Sequence, residues 1–240
     1  GIPMKLMIAS DLHGSACYCR QMLQQFEQEQ ADRLLLLGDL LYHGPRNELP
    51  RDYNPKKVIA LLNDFANGIN GINDTSCTND ANGTNATATT NGTPCEEPHR
   101  ILCVRGNCDA EVDQMVLGFP IMADYGVIEL GGRFVYLTHG HVYGEDNPPK
   151  LRKGDILIQG HTHIQRCVEK DGIMFLNPGS VSIPKGDGYN GCIVFDDEAV
   201  AEAFTTTATL KTSPTPKAGE LRGIGLEKGA FRFVSLDGVL

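Results

Sequence analysis

The feature that most constrains the fold is a run of four consecutive leucines at residues 34–37, followed at once by Gly38 and Asp39. A strand with one face in water alternates apolar and polar residues, whereas a short unbroken apolar run is typical of a strand buried on both faces. Such strands are found in parallel sheets that are covered on both sides. Residues 33–39 are therefore predicted to form a buried parallel strand in an α/β protein.

The segments around this strand predict a βαβαβ beginning. Apolar side chains at helical spacing predict a helix over residues 15–29. A second helix is predicted over 54–66, where an Asn-Pro pair supplies the cap and the first helical residue. Short apolar strands are predicted at 5–10 and 99–107.

The second half of the chain is poor in helical patterns. Further strands are predicted at 123–130, 133–140, 155–161, 165–172, 173–177, 191–196 and 229–238. A strand-rich half after a βαβαβ half favours two β-sheets packed together with helices outside. We expect one domain over residues 1–240.

Two polar segments interrupt this pattern. Residues 67–98 are rich in Asn, Thr and Gly and have almost nothing apolar to bury, so a disordered surface insertion is expected. Residues 203–219 predict a polar loop. Of the eight cysteines, only Cys77 and Cys95, which flank the polar tract, are placed to pair, and buried free thiols are the simpler interpretation of the others.

The charge and the start of the chain limit the partners. A net charge of −9 argues against broad binding to nucleic acids or anionic membranes, although bound cations can reverse the local field. No apolar run approaches the roughly 20 residues of a membrane helix. The first ten residues lack a signal-peptide layout, and we expect a cytoplasmic protein.

Five short motifs stand where an apolar strand gives way to a loop, and they read SDLHG, GDL, RGNCD, LTHGH and QGHTH. Each motif alone is weak, because a strand-end Asp often only caps the next helix. If the parallel strands are neighbours in one sheet, the loops after them converge on one crevice. Together the motifs offer side chains that bind divalent metals: Asp11, His13, Asp39, Asn107, His139, His141, His161 and His163.

The ligand types narrow the metal. Imidazoles mixed with carboxylates and an amide oxygen suit Mn, Fe, Zn or Ni, and the set is too large for one ion. Asp39 is the natural bridge, because a carboxylate has two oxygens to share. Two metals about 3.5–4 Å apart hold a hydroxide at neutral pH and clamp a phosphoryl group for in-line attack.

In this order, the motifs resemble those of the calcineurin-like metallophosphoesterases. The resemblance runs from about residue 5 to residue 195, with the 67–98 segment inserted. Longer stretches, LLGDLLYHGPRN, RGNCDAEVDQM, LTHGHVYG and FLNPGSVSIPKG, are similar to the YfcE-type subgroup of small bacterial phosphodiesterases.

The resemblance implies a four-layer αββα sandwich, two mixed β-sheets flanked by helices, with a dinuclear site that takes Mn²⁺, or Fe, Ni or Zn. It also implies a homo-oligomer, a homodimer or a homotetramer. Carried over by motif, one metal takes Asp11, His13, Asp39 and His163. The other takes Asp39, Asn107, His139 and His161, with His141 as the alternative histidine of its motif.

Cys108 departs from the family pattern, which usually has His after the Asn. That His protonates the leaving group or stabilises the phosphoryl oxygens, and Asp109 is expected to orient the residue at 108. A thiol is a poor replacement for a cationic imidazole. We therefore expect the protein to prefer phosphodiesters to phosphomonoesters as substrates. His141 or His43 is expected to supply part of the function of the absent imidazole.

The predicted function is a metal-dependent phosphodiesterase that acts on a small phosphodiester or phosphomonoester. His43 and Arg46 are candidates to face a substrate phosphate, and the loop of Asn177, Ser180 and Lys185 is a candidate rim. One alternative is a catalytically weak scaffold on the same fold, which the full set of metal-binding side chains argues against. The other is a cysteine hydrolase built on Cys108, which would need a base of its own.

Overall fold

The computed structural model describes residues 4–69, 99–199, 216–219, 221–223 and 229–237. The strands are β1 Lys5–Ala9, β2 Arg33–Leu36, β3 Ile101–Cys103, β4 Tyr125–Leu130, β5 Arg133–Thr138, β6 Ile156–Ile158, β7 Gln165–Lys170, β8 Ile173–Pro178, β9 Gly191–Asp196, β10 Leu221–Gly223 and β11 Ala230–Ser235. The helices are α1 Ala16–Glu29, α2 Pro55–Ala66 and the short α3 Glu111–Gln114.

The first sheet has six strands in the order β10-β11-β9-β1-β2-β3. Strands β1, β2 and β3 are parallel, with Met7 opposite Leu34 and Leu34 opposite Ile101. Leu34 and Leu36 pack on the helix side of this sheet, and Leu35 and Leu37 pack on the other side. The prediction that the leucine run is buried on both faces of a parallel sheet is confirmed.

Both predicted long helices are present and start where the sequence indicated. Ser15 caps α1 by accepting the Tyr18 N–H, and Asn54 caps α2 by accepting the Lys57 N–H, with Pro55 in the first turn. Their apolar faces share one core with the first sheet, in which Phe26 of α1 meets Phe65 of α2 edge to face at a centroid distance of 4.8 Å.

The second sheet has five strands in the order β4-β5-β6-β8-β7. Strands β5, β6 and β8 are parallel, and β4 and β7 flank them in antiparallel pairing. A second core lies between the two sheets and includes Ile8, Leu35, Val135, Ile158 and Phe195. Two mixed sheets flanked by helices confirm the predicted fold class.

The two sheets meet with the carboxyl ends of their parallel strands at one edge. The segments after β1, β2 and β3 come from the first sheet, and the segments after β5 and β6 come from the second. The loops therefore converge although the five motifs do not all follow strands of one sheet. The crevice lies where two packed sheets end together.

Several sequence predictions fall outside the described residues: positions 70–98 of the polar insertion, with Cys77 and Cys95, and positions 203–215 of the second polar loop. They stay predictions, as does the single domain. Strand β10 and helix α3 were not predicted, because each is only three or four residues long. No helix among the described residues is long and apolar enough to cross a membrane.

Candidate metal centre

The structure brings seven of the motif side chains into two adjoining clusters. In the first cluster, made of Asp11, His13 and His163, the Nε2 atoms of the two histidines are 3.1 Å apart. The Oδ1 atom of Asp11 is 3.5 Å from Nε2 of His13 and 3.2 Å from Nε2 of His163. All three side chains are buried.

The second cluster is made of Asn107, His139 and His161. Nε2 of His139 is 3.0 Å from Oδ1 of Asn107 and 3.3 Å from Nδ1 of His161. His139 is buried, His161 is half-buried and Asn107 is exposed. The second cluster therefore reaches the surface, whereas the first does not.

Asp39 lies between the two clusters. Its Oδ2 atom is 3.7 Å from Nε2 of His13 and 3.4 Å from Nε2 of His139, while Oδ1 accepts the backbone N–H of Cys108 at 2.8 Å. That Asp39 shares its two oxygens between two metals stays a prediction. One oxygen atom faces both clusters, and the other fastens the loop that carries Asn107.

Backbone carbonyls set the tautomers of three histidines. Nδ1 of His13 lies 2.8 Å from the Tyr42 carbonyl, and Nδ1 of His139 lies 2.7 Å from the Leu37 carbonyl. Nδ1 of His163 has the same relation to the Ile183 carbonyl at 2.9 Å. A carbonyl only accepts, so each Nδ1 carries the proton and each Nε2 presents its lone pair to the clusters.

The donor set fits divalent cations. Imidazole nitrogens and carboxylate or amide oxygens face one another at 3.0–3.7 Å, and Oδ1 of Asp11 is buried without a hydrogen-bond partner. Ligands about 2.1 Å from a common ion are separated by about 3.0–3.4 Å. Acceptors that converge in this way are stabilised by a cation at their centre.

The backbone of the site is strained in a way the sequence did not show. Five of the seven residues have positive φ, between 50° and 69°. They are Asp11, His13, Asp39, His161 and His163. Non-glycine residues rarely adopt this conformation, which costs about 1–3 kcal/mol each and concentrates at functional sites.

Two glycines allow the loops to approach closely. A Cβ at Gly106 would overlap the carboxylate of Asp39, and one at Gly160 would overlap Ser10 and Asp11. The second Gly is therefore required where the loop of His161 meets the loop of Asp11.

Asp109 supports the backbone of the centre. Its buried carboxylate accepts the N–H groups of Asp39 at 2.8 Å, Leu40 at 2.9 Å and Gly106 at 2.7 Å. The expectation that it orients the side chain at 108 is not what the structure shows, since its oxygens hold the loops of Asp39 and Asn107 instead.

Comparisons with known proteins agree with this geometry. The family description "Calcineurin-like phosphoesterase superfamily domain" matches residues 74–199. Phosphodiesterase YfcE of Escherichia coli (strain K12) is 42% identical over 198 residues, which cover 82% of this chain and 90% of that protein. The chain belongs to the calcineurin-like phosphoesterase superfamily.

Two further similarities are informative. A solved structure of YfcE, described as a phosphoesterase from E. coli, superposes with a TM-score of 0.65 at 39% identity, covering 81% of this chain and 91% of that one. Vacuolar protein sorting-associated protein 29 of Schizosaccharomyces pombe is 36% identical over 86 residues, which are 33% of this chain and 44% of that protein. As a member of this metal-dependent superfamily, the chain is a hydrolase of phosphate esters.

Electrostatics in the centre of this phosphoesterase favour positive charge. Burial acts to raise the pKa of Asp11, but His139, His13 and His163 outweigh it and hold the pKa well below its ordinary value. Burial acts to lower the pKa of His139, but Asp11 and Asp39 raise it to about 9. The carboxylates thus attract a cation or a proton into the clusters.

Cys108 is a half-buried thiol at the edge of the second cluster. Burial and the nearby Asp39 carboxylate raise the pKa of Cys108 to about 12, whereas a nucleophilic cysteine needs a lowered pKa. The Cys108 thiol also forms a candidate metal-binding group with His13 and Asp39. The pKa argues against the cysteine-hydrolase alternative.

A cleft of about 280 Å³ lies over the centre and is lined by Asp39, Asn107, Cys108, His161 and His163, together with Arg46 and Lys185 from two other loops. Arg46 thus lies where the sequence predicted a substrate contact. Lys185 lies on the predicted rim.

Two other predicted site residues, His43 and His141, are not among the described residues that line the cleft. His43 packs edge to face between Tyr42 and Tyr53, at centroid distances of 4.8 and 5.2 Å, and is not among the described residues that line the cleft. His141 is exposed beside the second cluster, with its ring 5.3 Å from that of His139 and 6.3 Å from that of His161. Burial and His139 lower the pKa of His141.

Sequence reasoning missed how the loops are held. The Ser180 hydroxyl donates to the Asp11 carbonyl at 2.7 Å, and Ser10 donates to Oδ2 of Asp11 at 2.6 Å. Asn177 donates to the Gly160 carbonyl at 2.9 Å, which fixes the loop of His161. The motif NPGS placed Asn177 and Ser180 near the cleft, but only the structure shows that they are buried behind it.

Proposed function

We propose that the protein is a dinuclear, metal-dependent phosphodiesterase that hydrolyses a small phosphodiester. The observation that carries the proposal is the meeting of two clusters of metal-binding side chains at one oxygen, Oδ2 of Asp39. When bound, two divalent cations lower the pKa of a water, clamp the phosphoryl oxygens and provide for in-line attack by hydroxide.

The seven metal-binding residues divide into ligands of a first and a second ion. Asp11, His13 and His163 would hold the first ion, with Asp39 shared. Asn107, His139 and His161 would hold the second at the floor of the cleft. Their imidazole, carboxylate and amide atoms suit Mn²⁺, Fe, Zn or Ni, and we propose Mn²⁺.

The residue after Asn107 supports a diester as substrate. A cationic imidazole at this position would protonate a poor leaving group and meet the second charge of a monoester, and the neutral Cys108 thiol offers neither. His141 beside the second cluster is the remaining candidate for proton transfer. The name of the similar Escherichia coli protein, Phosphodiesterase YfcE, supports the same choice.

The test is hydrolysis of bis(p-nitrophenyl) phosphate by protein that has been stripped with a chelator and then reloaded with Mn²⁺. We expect no turnover after stripping, recovery on reloading and no loss after thiol alkylation. Full metal occupancy without turnover would instead favour a protein-binding scaffold.

Three further proposals complete this assignment. We propose a cytoplasmic protein, a homodimer or homotetramer, and no broad affinity for nucleic acids or membranes; the net charge of −9 supports the last of these. Light scattering coupled to size exclusion tests the assembly state. Retention of fluorescently labelled DNA by the protein at low salt would contradict the last proposal.

A further inference from the structure

Two basic side chains line the cleft and play no part in either cluster. Arg46 belongs to the loop after β2, and Lys185 belongs to the loop after β8. Both side chains are exposed. They enter the same cleft as Asn107 and His161, the side chains through which the second cluster reaches the surface.

Hydrogen bonds fix the loops that carry these two cations. Asn47, next to Arg46, donates from Nδ2 to the His43 carbonyl at 2.8 Å and from its backbone N–H to the Gly44 carbonyl at 3.4 Å. The Lys185 N–H donates to the His163 carbonyl at 3.0 Å. The backbone beside Arg46 is thus held in a closed turn, and the backbone of Lys185 is attached to that of His163 in the first cluster.

Neither cation has a counter-ion among the described residues. Within the described parts of the chain, Arg46 and Lys185 form no salt bridge. By contrast, Arg166 and Lys170 of β7 both pair with Glu145. On a chain with a net charge of −9, two cations left unneutralised in the functional cleft favour an anion from solution.

The lining of the cleft restricts what else it can recognise. None of the described residues that line it is Phe, Tyr or Trp, so a nucleobase could stack only on the histidines of the clusters or on Arg46. Its volume of about 280 Å³ is slightly below the range of ligand pockets, which begins at about 300 Å³. A small aliphatic alcohol group fits this cleft better than a nucleoside.

We propose that Arg46 and Lys185 form an anion subsite, and that the substrate is a small aliphatic phosphodiester whose alcohol carries a second anionic group. The inference rests on the proposed function and names the substrate class for that site. A diester phosphate carries one negative charge, which the metal positions receive, so the two remaining cations serve a separate charge.

The test compares three p-nitrophenyl phosphodiesters with the same leaving group, made with 3-hydroxypropionate, propanol and choline. Their second alcohols are anionic, neutral and cationic. With the Mn²⁺-loaded protein, kcat/KM is expected to fall in that order, by about tenfold from the carboxylate to the neutral ester, as a charge-assisted contact provides. The preference should shrink as NaCl is raised, because both cations are exposed.

Two substitutions and two matched controls locate the effect. Arg46→Gln and Lys185→Gln should each reduce the ratio of kcat/KM between the carboxylate and propyl esters severalfold. Arg133→Gln and Lys153→Gln change the same residue types at the start of β5 and before β6, away from the carboxyl-end edge, and should leave the ratio unchanged.

The outcomes separate this inference from the proposed function. Hydrolysis of bis(p-nitrophenyl) phosphate without any preference among the three diesters would overturn the anion subsite alone. A preference that survives both cleft substitutions would overturn it as well, as would faster turnover of p-nitrophenyl phosphate than of the carboxylate diester. Failure to hydrolyse any diester would overturn the proposed function.

Discussion

The two clusters of the centre differ in their access to solvent. Asp11, His13 and His163 of the first cluster are 0%, 0% and 2% exposed. In the second cluster only His139 is buried, and Asn107 and His161 open into the cleft. The first cluster is therefore closed to solvent apart from the edge of His163 that lines the cleft, whereas the second opens into the cleft through two side chains.

The burial of Asp11 and His13 and the exposure of Asn107 depend on which strand precedes each loop. The first cluster takes Asp11 and His13 from the loop after β1, a central strand of the first sheet, and that loop is covered by Ser180 and Ser182 from the loop after β8. Asn107 follows β3, an edge strand of the same sheet. The edge position of β3 explains the exposure of Asn107. It does not explain that of His161, which follows the central strand β6 as the buried His163 does.

The largest loss of activity is expected when the Asp39 carboxylate, which lies between the two clusters, is removed. Asp39→Ala takes away the carboxylate oxygen that lies 3.7 Å from Nε2 of His13 and 3.4 Å from Nε2 of His139, so kcat for bis(p-nitrophenyl) phosphate should fall by at least about 10²–10³-fold, the loss typical of one electrostatic contact to the transition state. Metal content measured after desalting should fall for both positions. Loss of one equivalent only would show that the clusters bind independently.

A pair of histidine substitutions tests the difference between the clusters directly. His161→Ala should weaken one metal position that excess Mn²⁺ refills, so that about 10–100-fold lower affinity is seen as a shift in the Mn²⁺ titration of activity. His163→Ala opens the buried cluster, and activity should not return at high Mn²⁺. Equal rescue of both variants would contradict the difference in access.

Replacing the thiol at the open cluster should change substrate preference. Cys108→His is expected to raise turnover of p-nitrophenyl phosphate by about tenfold, because a general acid contributes 10²–10⁴-fold when ideally placed and less when introduced without its supporting contacts. The ratio of monoester to diester turnover is the readout, with Cys108→Ser as control. An unchanged ratio would show that Cys108 does not determine the preference for diesters.

The smallest effect is expected from substitutions of the serines that hold the loop of the buried cluster, and it is a loss of stability. Ser180→Ala leaves the buried N–H groups of Ser182 and Ile183 without their acceptor, which should cost about 1–3 kcal/mol of unfolding free energy. Ser182→Ala removes one longer bond, of 3.2 Å to the Asp11 carbonyl, and should cost less. Urea unfolding of the two variants gives the comparison, and a larger loss for Ser182→Ala would contradict it.

The sequence predicted the elements and most of the centre because both depend on local patterns. The leucine run, the Ser15 and Asn54 caps and the five strand-end motifs are each legible within a few residues. The pairing of two sheets at one edge and the contact of Ser180 with Asp11 depend on segments more than 100 residues apart. The contact of Asn177 with Gly160 spans 17 residues, which is also more than a short motif covers. Local patterns carry no information on such distances.

The sequence also did not predict the positive φ values at five residues of the centre. They are Asp11, His13, Asp39, His161 and His163. Propensity predicts against such a conformation for Asp and His in these numbers. The strain persists because the surrounding contacts over-determine it, among them the three N–H groups bound by Asp109.

The central claim is that two adjoining metal positions share Asp39 and together hydrolyse a phosphodiester. The most direct measurement is a titration of metal-free protein with Mn²⁺, in which bound metal and hydrolysis of bis(p-nitrophenyl) phosphate are followed in the same samples. The account predicts two equivalents per chain, with the first bound silently and activity rising with the second. Full activity at one equivalent, or activity in the metal-free protein, would contradict it.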